Sequence, residues 1–152
     1  MGRTNRFTYK NGLIYIKLYH LIIVDNSRRK DVIVKTLDNV ETLFKGKARA
    51  AELAQGKNAF NGLFELDEMA EVPIHRDSSE EYLYVLSGNG VITIDEKSYE
   101  INKGTIIYMP TGAEVSYKNG NMVSRFLQVF AGPDPATKHD TWSKNDQESF
   151  SW

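Results

Sequence analysis

From Asp31 onward the chain is a succession of short β-like runs cut at regular intervals by turn-forming residues, a pattern that few folds accept. Side chains alternate along a strand with period two. Val32 and Val34 of Asp31–Thr36 therefore share a face, as do Phe60, Phe64 and Leu66 of Asn58–Leu66. Further runs follow at Glu80–Leu86, Gly90–Ile94, Ser98–Ile101, Thr105–Met109, Glu114–Asn119 and Ser124–Phe130. Between them stand Ser87-Gly88-Asn89-Gly90, Asp95-Glu96-Lys97, Asn102-Lys103-Gly104 and Asn119-Gly120-Asn121, all suited to tight turns. The expected fold is all-β, an antiparallel sandwich or barrel. Only Lys47–Gln55, through Ala48, Ala50, Ala51, Leu53 and Ala54, has helix-forming composition, and the sequence leaves it between helix and strand.

The two ends read differently from this middle. Leu13–Val24 is apolar but interrupted by Lys17 and His20, and it is shorter than the roughly 20 residues a membrane span needs. Arg3, Arg6 and Lys10 precede it as in a signal peptide, yet Asp25-Asn26-Ser27-Arg28-Arg29-Lys30 follows, with no small-residue cleavage pattern. The expectation is a strand apolar on both faces, covered within the barrel or by a second chain in a homodimer, in a cytoplasmic protein. At the other end Gly132-Pro133-Asp134-Pro135 stops any central strand, and a polar tail follows with Trp142, Phe150 and Trp152 as sparse anchors. The expected division is a strand segment over 1–30, a barrel over 31–132 and a tail over 133–152.

Composition removes several function classes. A formal net charge of -1 gives no attraction to nucleic acid or to anionic lipid, and Arg28-Arg29-Lys30 is too small a cluster to change that. With no cysteine, disulfides, thiolate zinc sites, iron–sulfur clusters and Cys nucleophiles are excluded. No G-x-S-x-G elbow is present for a serine hydrolase, and Gly88-Asn89-Gly90 lacks the third glycine and lysine of a phosphate loop.

The most informative stretch is Pro73-Ile74-His75-Arg76-Asp77-Ser78-Ser79-Glu80-Glu81, running into Tyr82-Leu83-Tyr84-Val85-Leu86-Ser87-Gly88. It resembles the first motif of the cupin superfamily, G-x5-H-x-H-x3,4-E-x6-G. With fifteen residues between Gly88 and Gly104, the stretch Gly104-x5-Pro110-x-Gly112 with Asn119 resembles the second, G-x5-P-x-G-x2-H-x3-N. The resemblance covers about residues 60–130 and implies an antiparallel jelly-roll β-barrel, a fold that hosts many unrelated activities.

The departures are as informative as the matches. The first motif glycine falls on Met69, the second metal histidine on Asp77 and the motif-two histidine on Val115. The resemblance thus implies a reduced metal set of His75, Asp77 and Glu81. The candidate cofactor is a divalent ion (Mn, Fe, Zn or Ni). Two carboxylates among three ligands shift preference toward Mn²⁺, Mg²⁺ or Ca²⁺, and the missing fourth donor argues against full occupancy. His75 and Asp77 lie two apart and can face one interior; Glu81 can join them if it begins the neighbouring strand. Glu114 sits one residue from the lost ligand position, so its side chain points outward.

Around this set, Val115, Tyr117 and Phe64 are expected to line a small-molecule pocket, with the Tyr117 hydroxyl available for a polar contact. Glu80 reads as a solvated neighbour of Glu81, Tyr82 and Tyr84 as outward-facing, and His20 and His139 as exposed or edge residues. Three functions fit: small-molecule binding or sensing with a partly lost metal site; a metal-dependent dioxygenase, isomerase or lyase; and a metal-free acid–base enzyme in which a carboxylate orients His75.

Overall fold

The computed structural model describes residues 33–37, 40–132 and 139–144. Leu13–Val24, with the strand and homodimer expected of it, and His20 lie outside the described residues.

The described residues form eleven strands and no α-helix. They are β1 (Thr42–Lys45), β2 (Ala48–Gln55), β3 (Ala59–Leu66), β4 (Glu71–Arg76), β5 (Glu80–Ser87), β6 (Asn89–Ile94), β7 (Lys97–Asn102), β8 (Ile106–Met109), β9 (Glu114–Asn119), β10 (Ser124–Ala131) and β11 (Ser143–Lys144). A seven-stranded sheet runs β11-β1-β2-β3-β10-β5-β8, and a four-stranded sheet runs β4-β9-β6-β7. Every pairing is antiparallel. No helix of the described residues is long and apolar enough to cross a membrane.

Alternation decides what lies between the sheets. In β10, Ser124, Phe126, Gln128 and Phe130 are buried while their neighbours are only partly so. Phe126 pairs with Phe64 and Phe130 with Phe60 on β3, which brings the expected inward face of β3 onto that of β10. From the smaller sheet Ile92, Ile101, Val115 and Tyr117 join Leu66, Val85, Ile107, Met109 and Phe126 in one apolar cluster. The alanine-rich stretch is strand β2, because hydrogen bonding to β1 and β3 on both sides outweighs alanine's small helix preference. Asp31–Thr36 does not behave as expected: described residues 33–36 belong to no strand, and Val34 is exposed.

One end of the barrel is closed by a polar knot. Asn119 Nδ2 donates to the carbonyls of Leu66 (3.2 Å), Asp67 (2.7 Å) and Met122 (2.9 Å). Its Oδ1 accepts from the hydroxyls of Tyr117 (3.0 Å) and Ser124 (2.5 Å). Gly88 packs directly on this knot: with φ at 91°, any Cβ there would stand 2.0 Å from Ser124 Oγ and 2.5 Å from Ser124 Cα. Turn preference and close packing therefore demand glycine at the same position.

Met69, where the family motif has its first glycine, keeps the backbone that glycine favours, with φ at 56°. Its amide donates to the Gly120 carbonyl at 2.8 Å, so the turn is fixed by the barrel and not by the residue. Its side chain is 67% exposed and contributes little packing. Met69→Gly should therefore raise stability by about 1 kcal/mol, the usual relief of a left-handed L-residue less glycine's extra unfolded-state entropy. A urea midpoint that falls instead would mean that the Met69 side chain makes an anchoring contact.

Candidate functional site

The site begins with a proline. Pro73 has no N–H for the sheet, and β4 is an edge strand, where that loss is tolerated. Val72 pairs with Tyr117 and His75 with Val115, so β4 spends three steps where β9 spends two. The resulting bulge at Pro73–Ile74 resets the alternation. Ile74 is turned outward, 68% exposed, and His75 faces in beside Val115. The bulge also supplies an anchor: His75 Nδ1–H donates to the Pro73 carbonyl at 2.9 Å, leaving Nε2 to face Asp77 Oδ2 at 3.6 Å.

Glu81 enters from the other sheet. The condition for it to join the pair along one sheet, that it begins the strand next to β4, is not met. β5 lies between β10 and β8, so Glu81 and the His75–Asp77 pair line the same cavity from different sheets. It is only 4% exposed and accepts a short hydrogen bond from Gln128 Nε2. Gln128, also 4% exposed, keeps a carbonyl Oε1 that has no hydrogen-bond partner among the described residues.

These groups line a cavity of about 430 Å³. Its floor is apolar, built from Phe64, Leu66, Ile92, Ile101, Met109 and Phe126. Lys45 and Lys47, both solvent-exposed, also border it. Arg76 does too, but its guanidinium is held by Glu114 at 2.8 Å and by the Gly112 carbonyl at 2.7 Å. Glu114 thus points outward, as its offset implies.

Other expectations need correcting. Tyr117 lines the cavity with its ring, packed edge-on against Phe126 at 5.6 Å, and its hydroxyl donates within the knot, to Asn119 Oδ1 and the Asn89 carbonyl. Burial pushes the Tyr117 phenol above its ordinary pKa. Glu80 is more than a solvated neighbour: it accepts from Tyr82 at 3.2 Å and Tyr108 at 3.3 Å on the outer face. Partial desolvation, with Glu80's carboxylate, holds both phenols above their usual value.

His139 is buried, 5% exposed, where an exposed or edge position was expected. Its ring stands edge-on to Trp142 at 4.8 Å and Phe60 at 5.8 Å, and its Nδ1 lies 3.6 Å from Glu52 Oε1. Burial, with Asp140 and Glu41 nearby, raises the Glu52 carboxyl above its ordinary range. His139 and Trp142 both line the cavity, so residues beyond Pro135 form part of its wall. Trp142, read from the sequence as an apolar anchor, is the one signal of it; His139 gave none. Gln128 did carry a signal, since it shares the parity of Phe126 and Phe130.

The sequence profile described as "Cupin domain" matches residues 62–130. Residues 62–130 are a cupin domain. An uncharacterised protein of Methanocaldococcus jannaschii is 37% identical over 51 residues, 33% of this chain and 41% of that protein, so the match spans less than half of the relative. Among solved structures, an RmlC-like cupin from Shewanella frigidimarina superposes with a TM-score of 0.64 at 15% identity, over 71% of this chain and 95% of that one. A predicted oxalate decarboxylase from Thermotoga maritima gives 0.60 at 23% identity, over 66% and 99%. Likeness at these identities establishes the jelly-roll fold and leaves the chemistry to the cavity.

The cupin fold implies a divalent metal, and the residues as arranged do not fit one. Among the described residues no three His, Cys, Asp or Glu side chains are grouped closely enough to hold an ion. One Glu81 oxygen is taken by Gln128, and the fourth ligand position is the hydrocarbon of Val115.

Proposed function

We propose that this cupin barrel binds a small organic molecule with an apolar body and a polar head. The observation that supports it is the cavity: about 430 Å³, apolar across its floor, with His75, Asp77, Glu81 and Gln128 converging on it. That size and balance are typical of ligand sites. Phe64, Val115 and the Tyr117 ring form walls for the apolar body in this reading. Ala48 also lines the cavity and pairs with Leu66, so a large side chain there would fill the space without displacing core residues. Wild-type protein should bind small aromatic molecules in ligand-observed NMR, and Ala48→Trp should weaken that binding at least tenfold while remaining folded. Binding that survives Ala48→Trp would place the ligand elsewhere.

One observation favours a second reading. His75 is anchored through Nδ1 and held beside Asp77, as a positioned acid–base residue would be. If the cavity turns over its ligand, His75→Ala should abolish turnover and leave binding within a few fold. A metal-dependent dioxygenase, isomerase or lyase draws on the same His75, Asp77 and Glu81, and no grouping of these side chains supports it.

A further inference from the structure

We propose that the outer face of β5 and β8 docks a partner protein through an arginine side chain. This surface lies outside the cavity and does not depend on the binding reading above. Tyr82 pairs with Tyr108 and Tyr84 with Ile106, and directly paired residues share one face of a sheet. None of the four lines the cavity, and Tyr82, Tyr84, Tyr108 and Ile106 are 41%, 41%, 50% and 76% exposed. Val129 and Leu127, the partners of Tyr82 and Tyr84 on β10, extend the same face. β8 is the last strand of its sheet, so the patch reaches the sheet's edge. Contiguous apolar surface of this kind marks a contact with another protein, and an open sheet face lacks the concavity that encloses a small molecule.

Charge says what the partner brings. Glu80 shares the parity of Tyr82 and Tyr84 on β5, and accepts from the Tyr82 hydroxyl at 3.2 Å and the Tyr108 hydroxyl at 3.3 Å, one on each carboxylate oxygen. These donors fix the carboxylate at the patch but are neutral, and no cation pairs with Glu80 among the described residues. A carboxylate offers about four lone-pair sites, so the phenols leave room for two more donors. The two rings stand 5.0 Å apart at 37°, a ready platform beside that charge. A guanidinium can stack on a tyrosine ring and donate to both carboxylate oxygens, whereas an ammonium is more strongly hydrated and has no plane to stack. An apolar or acidic partner would bury Glu80 without a counter-charge. A two-fold contact with a second copy would lay the patch on itself, two Glu80 carboxylates with no cation between them.

The probes are a short capped peptide with one central arginine flanked by isoleucines, and its citrulline and lysine counterparts. Each is titrated into the full-length protein at pH 7 while the tyrosine ring signals are followed by NMR. The arginine peptide should bind about tenfold more tightly than the isosteric, neutral citrulline peptide, with lysine between them. Glu80→Gln should bring the arginine peptide down to the citrulline level and leave citrulline binding unchanged. Tyr108→Leu, which keeps the patch apolar, should lower arginine binding severalfold. Glu96→Gln, an exposed carboxylate in the turn between β6 and β7, should change neither. Equal binding of arginine and citrulline peptides would overturn the inference, as would an arginine preference that survives Glu80→Gln. Absence of any shift in the tyrosine signals would overturn it too. Light scattering that shows a dimer which Tyr108→Asp dissolves would assign the face to a second copy and overturn it as well.

Discussion

Asn119→Ala is expected to lower stability by about 3–4 kcal/mol, seen as a large drop in the urea midpoint with the slope unchanged. The side chain it removes donates to the carbonyls of Leu66, Asp67 and Met122 and accepts from Tyr117 and Ser124. Alanine would strand those groups in a region closed to water, where each lost partner costs about 1–3 kcal/mol before relaxation. Asn119→Asp separates the two halves of this role. It keeps the acceptor for the two hydroxyls but aims a carboxylate at three carbonyl oxygens, so at pH 7 it should be at least as damaging as alanine. Acidification through the carboxyl range should then recover part of the loss, because a protonated Asp can donate again. A cost below about 1 kcal/mol for Asn119→Ala would show that water replaces the side chain readily.

The knot explains why so much of the fold was legible. Turn chemistry marked the ends of β5 to β10 to within about a residue or two, because Gly88 and Asn119 are fixed by local backbone demands as well as by packing. Alternation placed Phe60, Phe64 and Leu66 on one face without any knowledge of the partner sheet. The site was legible only in part. His75 and Asp77 were correctly put side by side, but the bulge at Pro73 that turns His75 inward depends on pairing with β9, which a single strand does not announce. Glu81 comes to the cavity from the other sheet, because the loop after Arg76 crosses between the two, and spacing alone does not reveal that crossing. The burial of His139 escaped the sequence because it comes from the cavity this residue borders and from no pattern of its own, whereas Trp142 stood out as an apolar anchor. Asp31–Thr36 shows the converse error, a short alternating run that gains no partner over its described residues.

Val115→His should convert the cavity wall into a divalent-ion site and raise Zn²⁺ or Ni²⁺ affinity about a hundredfold over the wild type, or about 2.7 kcal/mol. Val115 is the register partner of His75 across β4 and β9, and it lies beside His75 on the same lining. Side chains in such pairs leave Cβ atoms about 5 Å apart, close enough for two imidazoles to share one ion. Asp77, already 3.6 Å from His75 Nε2, would supply a third donor. Two imidazoles and a carboxylate suit zinc or nickel better than the oxygen-rich set of the native chain. Without metal the variant should lose about 2 kcal/mol, since a buried imidazole replaces hydrocarbon with few partners. Added Zn²⁺ should recover stability in proportion to the logarithm of its concentration, because only the folded chain brings the three donors together. His75→Ala in the Val115→His background should remove the gain. Calorimetry showing equal zinc affinity in wild type and Val115→His would mean that residue 115 does not reach His75, and would break the registration of the second motif on which this site is built.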